Sequence, residues 1–243
     1  MLSIVIPAFN EENNIVATLE SLTEASFLQS YPIEAFVITD GSRDRTPEIV
    51  QSWLSKPSVQ IPNNLTITAK HLDLNIGLCR VALAGAALGK YKYFKIVCGD
   101  NPENSKNLCA IFKQVGRADI IIPYHININQ KTSSRLALSK AYTLFYSLIS
   151  GHFSAPYVNG CFVCPRELFL KYCNPSHRFG FQAYVLYRLF SLGLSEKIVT
   201  IDGLYHASEN GTPISLRNLL GVSFSFFRIF LSRGYHLIPK KSR

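Results

Sequence analysis

Ser3-Ile4-Val5-Ile6-Pro7-Ala8-Phe9-Asn10-Glu11-Glu12, near the start of a 243-residue chain, is the stretch that decides the fold. Leu2–Pro7 is an apolar run ended by a proline, which reads as a short buried strand. Glu11–Ala25 follows with Ile15, Leu19 and Leu22 at helical spacing, and Asn10 stands where an N-cap is expected. The alternation then repeats. Ala35–Thr39, Leu65–Ala69, Tyr93–Val97 and Asp119–Pro123 read as further strands. Thr46–Leu54 and Gly77–Leu88 read as the helices between them, and Ser55–Asn64, with Pro57 and Pro62, as a surface loop. Such alternation predicts an α/β protein whose central sheet is largely parallel and flanked by helices. In open sheets of that kind ligands bind at the carboxyl ends of the strands, so the residues after each strand become the candidates.

Beyond residue 124 the pattern loosens. Ser134–Ser150 and Phe181–Leu192 read as helices, and Tyr157–Cys164 and Lys197–Asp202 as strands. Leu216–Ser232 carries Leu216, Leu219, Leu220, Phe227, Phe230 and Leu231 on one helical side and Arg217, Ser225, Arg228 and Ser232 on the other. That is a C-terminal amphipathic helix, either packed on the core or lying in a membrane interface. Apolar residues make up 47% of the chain and charged residues only 17%, which excludes general disorder. Charge is unevenly placed: residues 1–119 hold eleven Lys/Arg against twelve Asp/Glu, whereas residues 120–243 hold fourteen against four. The second half therefore suits an anionic partner: phosphate, membrane headgroups or nucleic acid. Nucleic acid explains the charge but not the strand-end motifs, and is not expected as a partner.

Six cysteines in a chain of this length do not form a disulfide framework, and the Cys161-x-x-Cys164 pair reads as core thiols of a reducing cytosol. No signal peptide is expected. The most apolar late segment, Asn218–Phe227, has ten uncharged residues, against about 20 needed to span a bilayer.

Pro7-Ala8-Phe9-Asn10-Glu11-Glu12 follows the first strand, and Asp40-Gly41-Ser42-Arg43-Asp44-Arg45-Thr46 follows the second. Carboxylates and small residues at strand ends suit hydrogen bonding to a base and ribose, and equally suit turns and helix caps. Their occurrence at corresponding places favours a ligand site. Together these segments resemble the opening motifs of the family 2 glycosyltransferases, which have the GT-A fold. Ile38-Thr39-Asp40-Gly41-Ser42 is similar to that family's second motif, with Thr39 in place of its first aspartate. Asn75-Ile76-Gly77-Leu78 resembles the third. The resemblance spans roughly residues 2–125. It implies that Pro7, Phe9, Glu11 and Asp40 hold the nucleoside of a nucleotide-diphosphate sugar, with Arg80 near the diphosphate.

Cys98-Gly99-Asp100-Asn101-Pro102 stands at the family's Asp-x-Asp site, which implies Mg²⁺ or Mn²⁺ bound through Asp100 and Asn101. Cys98 replaces the first aspartate. One or two carboxylates plus substrate phosphates are enough for Mg²⁺. On the acceptor side, Phe179-Gly180-Phe181-Gln182-Ala183-Tyr184 lacks the carboxylate pair that family members acting on a sugar hydroxyl place there. A hydroxyl needs a base, whereas a phosphate is already ionised. Phe181-Gln182 resembles a late motif of the polyprenyl-phosphate subgroup, including the dolichyl-phosphate mannose synthases. Arg135 and Ser139, four residues apart on one helix face, resemble that subgroup's acceptor-side pair. A last family motif is reduced to His206-Ala207-Ser208-Glu209-Asn210-Gly211-Thr212.

The expectation is an inverting glycosyltransferase acting on a polyprenyl phosphate at the cytosolic membrane face. Asp100 and Arg135 would be catalytic, with Arg135, Ser139 and Gln182 at the acceptor. Residues 1–214 would form the catalytic domain, divided into a nucleotide-sugar half (1–125) and an acceptor half (126–214), with residues 215–243 an appended helix and basic tail. Transfer to a glycan hydroxyl in cell-surface polysaccharide synthesis, and an inactive nucleotide-sugar-binding relative, remain as alternatives.

Overall fold

The structure is a computed structural model that describes residues 1–100, 103–126, 133–153, 161–202 and 216–237. Its first half runs β1 (Leu2–Ala8), α1 (Ile15–Phe27), β2 (Ile33–Asp40), α2 (Thr46–Ser55), β3 (Leu65–Leu72), α3 (Leu78–Leu88) and β4 (Tyr93–Ile96). Then come α4 (Ser105–Phe112), β5 (Ile120–Ile126), α5 (Ser133–Ser150), β6 (Val163–Pro165) and α6 (Arg166–Tyr172). A 3₁₀ turn (Pro175–Gly180), α7 (Phe181–Phe190), β7 (Glu196–Asp202) and α8 (Leu216–Leu237) complete it.

Seven strands form one sheet in the order β3-β2-β1-β4-β6-β5-β7. β1 pairs in parallel with β2 and β4, β2 with β3, and β5 with β7; among the described residues only the three-residue β6 runs antiparallel, between β4 and β5. The largely parallel sheet expected from the alternation is therefore present. β1 is central, and its alternate side chains feed two cores. Leu2, Ile4, Ile6 and Ala8 pack with Ile15, Leu19 and Leu22 of α1 and Val50 of α2, while Val5 packs with Val81, Ala82 and Ala86 of α3. Complete burial of such side chains contributes about 1.5–3 kcal/mol each. Gly85 lets α3 lie directly on the sheet: a Cβ there would meet Val5 Cγ2 at 2.3 Å.

Sequence and structure differ at several points. Asn10 does not cap α1. The chain first makes a turn in which Glu11 C=O accepts from the N–H groups of Asn14 and Ile15, so Asn14 precedes the helix. Asn10 instead adopts φ 56° and works across the site described below. The strand expected over Tyr157–Cys164 is confined, among the described residues, to Val163–Pro165. α8 packs on α5, α7 and the 3₁₀ turn, but not as the apolar pattern implied. Ser225, assigned to its polar side, is buried, as are Phe226 and Ile229, whereas Phe227, Phe230 and Leu231 point to solvent. Because the parallel strands share one direction, the carboxyl ends of β1, β2 and β4 converge on one sheet edge, the place where open α/β sheets bind ligands.

Candidate active site

The loops after β1 and β2 are joined by hydrogen bonds in both directions. Asn10 N–H donates to Ser42 Oγ (3.1 Å), Glu11 N–H to Thr46 Oγ1 (2.8 Å) and Glu12 N–H to Asp44 Oδ2 (3.1 Å). In return, Arg43 N–H donates to Asn10 Oδ1 (2.9 Å) and Arg45 N–H to Glu12 Oε2 (3.2 Å). The positive φ of Asn10 turns its amide toward this seam. Ser42, Asp44 and Thr46 are positioning residues whose cross-loop role sequence spacing does not reveal. Asp44 takes three donors: Glu12 N–H, and the Thr46 N–H (3.0 Å) and hydroxyl (2.6 Å). Partial burial alone would raise its carboxyl, but these bonds outweigh burial and hold it below its ordinary value of 3.8. A depressed carboxyl adds stability that is present above the unfolded value and lost as pH falls through the folded one. The stability gap between the wild type and Asp44→Ala is thus expected to be full at neutral pH. It should close as pH drops below 3.8. Denaturant midpoints of both proteins across that range measure it, and a constant gap would refute the role.

Asp40 ends β2 and is buried. Its two oxygens accept the N–H groups of Ile76 (2.7 Å) and Gly77 (2.9 Å), fixing the loop before α3. Gly41 makes this approach feasible, with φ 68° and only 2.4 Å between its would-be Cβ and Asn75 N. Thr39, in the place of the family's first aspartate, is wholly buried, with Oγ1 2.9 Å from His71 Nδ1. Arg80 is exposed on the first turn of α3 and donates weakly to Ile76 C=O (3.4 Å). Phe9 is exposed beside this edge, with Pro7 half-buried in β1.

Asp100 lies past β4 in a turn held from two sides: Gly99 N–H donates to Pro7 C=O (3.1 Å), and Thr18 Oγ1 donates to Gly99 C=O (2.9 Å). Glu11 is close enough to feel it. Burial raises the Glu11 carboxyl and the charges of Asp100 and Asp44 raise it further, while the Asn14 amide opposes them. Beneath the turn sits a pair that sequence reasoning missed. Lys95, fully buried in β4, donates to Glu103 (3.0 Å) and to Cys161 C=O (2.7 Å). The available signal was a lysine inside an otherwise apolar strand, eight residues before a glutamate.

Cys98 lies with its sulfur 3.7 Å from Cys161, whose own sulfur accepts from Gln182 Nε2 (3.5 Å). The contact with Cys161, then burial and the charges of Asp100 and Glu103, push the Cys98 thiol up, so it stays protonated. All six cysteines are free; Cys164 is a core thiol as expected, but Cys161 belongs to the site wall.

Hard oxygen donors suit Mg²⁺ or Mn²⁺, and the set here is Asp100 with Glu11 nearby. Among the described residues no group of three or more His, Cys, Asp or Glu forms a ready-made cation site. Oxygen donors so few suit a hard divalent cation only where other oxygen ligands complete its shell. Asn101 lies outside the described residues. On the acceptor side, Arg135 and Ser139 lie on α5, but their side chains are outside the described set, as are residues 206–212. Gln182 begins α7 and is buried against the wall of the Asp100 turn. Tyr184, two residues on, stacks on His177 (4.1 Å, 17°). Burial lowers the His177 imidazole to about 4, with Arg228 adding to the effect, so it is neutral at pH 7.

Residues 3–135 match the family described as Glycosyl transferase family 2. An uncharacterized protein of Methanocaldococcus jannaschii is 27% identical over 151 residues, covering 59% of this chain and 62% of that one. A prophage bactoprenol glucosyl transferase homolog of Escherichia coli is 34% identical over 65 residues, covering 27% of this chain and 21% of the relative. The matches thus span less than two thirds of these relatives. Among solved structures, glucosyl-3-phosphoglycerate synthase from Mycobacterium tuberculosis, in complex with Mn²⁺, UDP and glucosyl-3-phosphoglycerate, superposes with a TM-score of 0.63 at 16% identity. The superposition covers 96% of this chain and 79% of that one. S. aureus TarS in complex with UDP gives 0.62 at 16% identity, covering 99% and 73%. At such identities the likeness is one of fold.

Proposed function

This chain belongs to glycosyl transferase family 2, and on that premise we propose that it moves a sugar from a nucleotide-diphosphate sugar to a polyprenyl phosphate, with inversion, at the cytosolic face of a membrane. One observation carries the choice of acceptor. α7 begins against the wall of the Asp100 turn, through the Gln182–Cys161–Cys98 contacts, and it presents an amide there. No residue of α7 is a carboxylate. His177, packed beside the start of this helix, is buried and hydrogen-bonded to Ser225 (3.1 Å), and His152 packs farther along, on Tyr187 and Phe190. With no carboxylate on this helix, the acceptor proposed here brings its own ionised oxygen, as a phosphate monoester does at neutral pH. The match to bactoprenol glucosyl transferases points to the same acceptor class.

The proposed chemistry is one displacement. An acceptor phosphate oxygen forms a bond to the anomeric carbon, the bond from that carbon to the donor diphosphate breaks, and its electron pair leaves with the diphosphate. No proton has to be removed. Glu11 and Asp40 shape the nucleoside end, Asp40 by fixing the Ile76–Gly77 backbone. Asp100 faces the diphosphate, and a divalent ion held there, when bound, neutralises the departing charge. Arg80 flanks the diphosphate, and Arg135, with Ser139, orients the acceptor.

The test is a panel of UDP- and GDP-sugars with Mg²⁺ or Mn²⁺, each with and without detergent-dispersed polyprenyl phosphate. A lipid-linked sugar formed only when the lipid is present is the expected result. Product with soluble glycans alone would overturn the acceptor, and donor binding without turnover would overturn the enzymatic reading.

A further inference from the structure

Helices α5 and α8 turn apolar side chains outward on adjacent surfaces. Tyr142 and Phe145 of α5 meet Phe226 of α8 with ring centroids 5.1 and 5.2 Å apart. Further along, Arg233 donates to the carbonyls of Leu148 (2.8 Å) and Ile149 (3.1 Å). The contacts advance by seven residues on both helices, so α5 and α8 run side by side in the same direction. Each helix buries one face on the protein: Tyr146, Ser147 and Ser150 from α5, and Ser225, Phe226 and Ile229 from α8. The opposite faces are left to water. Leu144, Phe145, Leu148, Phe227 and Phe230 are each more than half exposed, and on each helix they recur at the spacing of one stripe. Isolated exposed apolar residues are ordinary; two neighbouring stripes of Leu and Phe form a patch that needs an occupant.

Charge says which occupant. α5 and α8 together carry five Lys or Arg (Arg135, Lys140, Arg217, Arg228, Arg233) and no acidic residue. Lys140 and Arg228 are exposed on the outward faces, and the Arg228 guanidinium lies 5.4 Å from the Phe224 ring centre. A second copy of the chain would set these cations against their like. A bilayer with anionic headgroups offers acyl chains to the rings and phosphates to the cations.

We propose that the outward surface of α5 and α8 docks onto an anionic lipid bilayer, with the Phe and Leu stripes entering the headgroup–acyl boundary and Lys140 and Arg228 meeting the phosphates. In its choice of partner the inference rests on the lipid-acceptor reading, and it names the surface that meets the membrane. No helix among the described residues is long and apolar enough to cross a bilayer, so the contact lies in the plane of the interface. His177 ties this surface to the site: it stacks on Tyr184 of α7 and bonds Ser225 of α8, and the first turn of α7 holds Gln182 beside the Asp100 turn. The acceptor end of the site is thereby placed one helix from the lipid.

The test is co-sedimentation of the full chain with phosphatidylcholine vesicles, with and without about one third phosphatidylglycerol. Neither polyprenyl phosphate nor nucleotide is present, so the result does not depend on the acceptor assay in detergent. The wild type is expected to bind the anionic vesicles. Leu148→Ser/Phe227→Ser/Phe230→Ser should weaken partitioning by about 100-fold or more, with its thermal transition retained because these side chains are exposed. Lys140→Glu/Arg228→Glu is an independent probe should the triple variant fold poorly. It should weaken binding by about tenfold or more and leave little salt dependence. No binding to anionic vesicles, wild-type binding by either variant, or a face buried in a self-associated species that ignores vesicles would overturn the proposal.

Discussion

Asp100→Asn is expected to lower turnover by about 100- to 1,000-fold, the loss seen when one preorganised charge-stabilising group is removed from a transition state. Asn keeps the size and one carbonyl oxygen but loses the charge that attracts a divalent ion. The turn is held by Gly99 through Pro7 and Thr18, and Asn matches Asp in size, so the fold should persist. The effect should fall mainly on kcat, since the proposed nucleoside contacts lie at the β1 and β2 ends. Calorimetric titration of the nucleotide should show that Mn²⁺ strengthens binding in the wild type and hardly at all in the variant. Full turnover in Asp100→Asn would sink the proposed mechanism.

The second large effect is on stability. Lys95→Met removes the cation that neutralises Glu103 beneath the same turn, where the two groups lie 2.9–3.0 Å apart and almost wholly buried. Breaking one partner of such a pair costs about 3–5 kcal/mol, because a charge is left alone in a poorly polarisable interior. Burial pushes the Glu103 carboxyl up even with Lys95 beside it; without Lys95 it would take up a proton. A raised carboxyl is penalised when ionised, so the cost should be largest well above pH 4.5, its ordinary value, and shrink on acidification. Denaturant unfolding of Lys95→Met, Glu103→Gln and the double variant closes a cycle that isolates the pair. The double variant should recover much of the loss, and a single-variant cost below about 1 kcal/mol would show that the pair is dispensable.

The sheet was legible because its central strands are buried on both faces and read as apolar runs between turn residues, as in Leu2–Pro7 and Tyr93–Val97. The elements that escaped are short. α4 has eight residues and α6 seven, too few turns for a periodic pattern. α8 escaped differently. Its sequence is apolar around most of its circumference, so periodicity could not say which apolar face meets the protein; Ser225 is inside because His177 supplies a partner. In the site, Glu11, Asp40 and Asp100 were found as strand-end carboxylates, and the structure gathers them at one sheet edge. What could not be read was their division of labour. Asp40 is consumed by backbone N–H groups more than thirty residues away, and the loop seam through Ser42, Asp44 and Thr46 exists only once β1 and β2 are paired.

The sulfur contact between Cys98 and Cys161 constrains how this chain can change. Restoring the family's first aspartate takes a single substitution, Cys98→Asp, yet the new carboxylate would enter a nook where Asp100 and Glu103 already repel negative charge. An aspartate in that company would hold its proton and make a poor cation ligand. A second carboxylate at position 98 would therefore add negative charge to the site without adding a cation ligand, and the lone aspartate of this turn is matched to the thiols packed behind it.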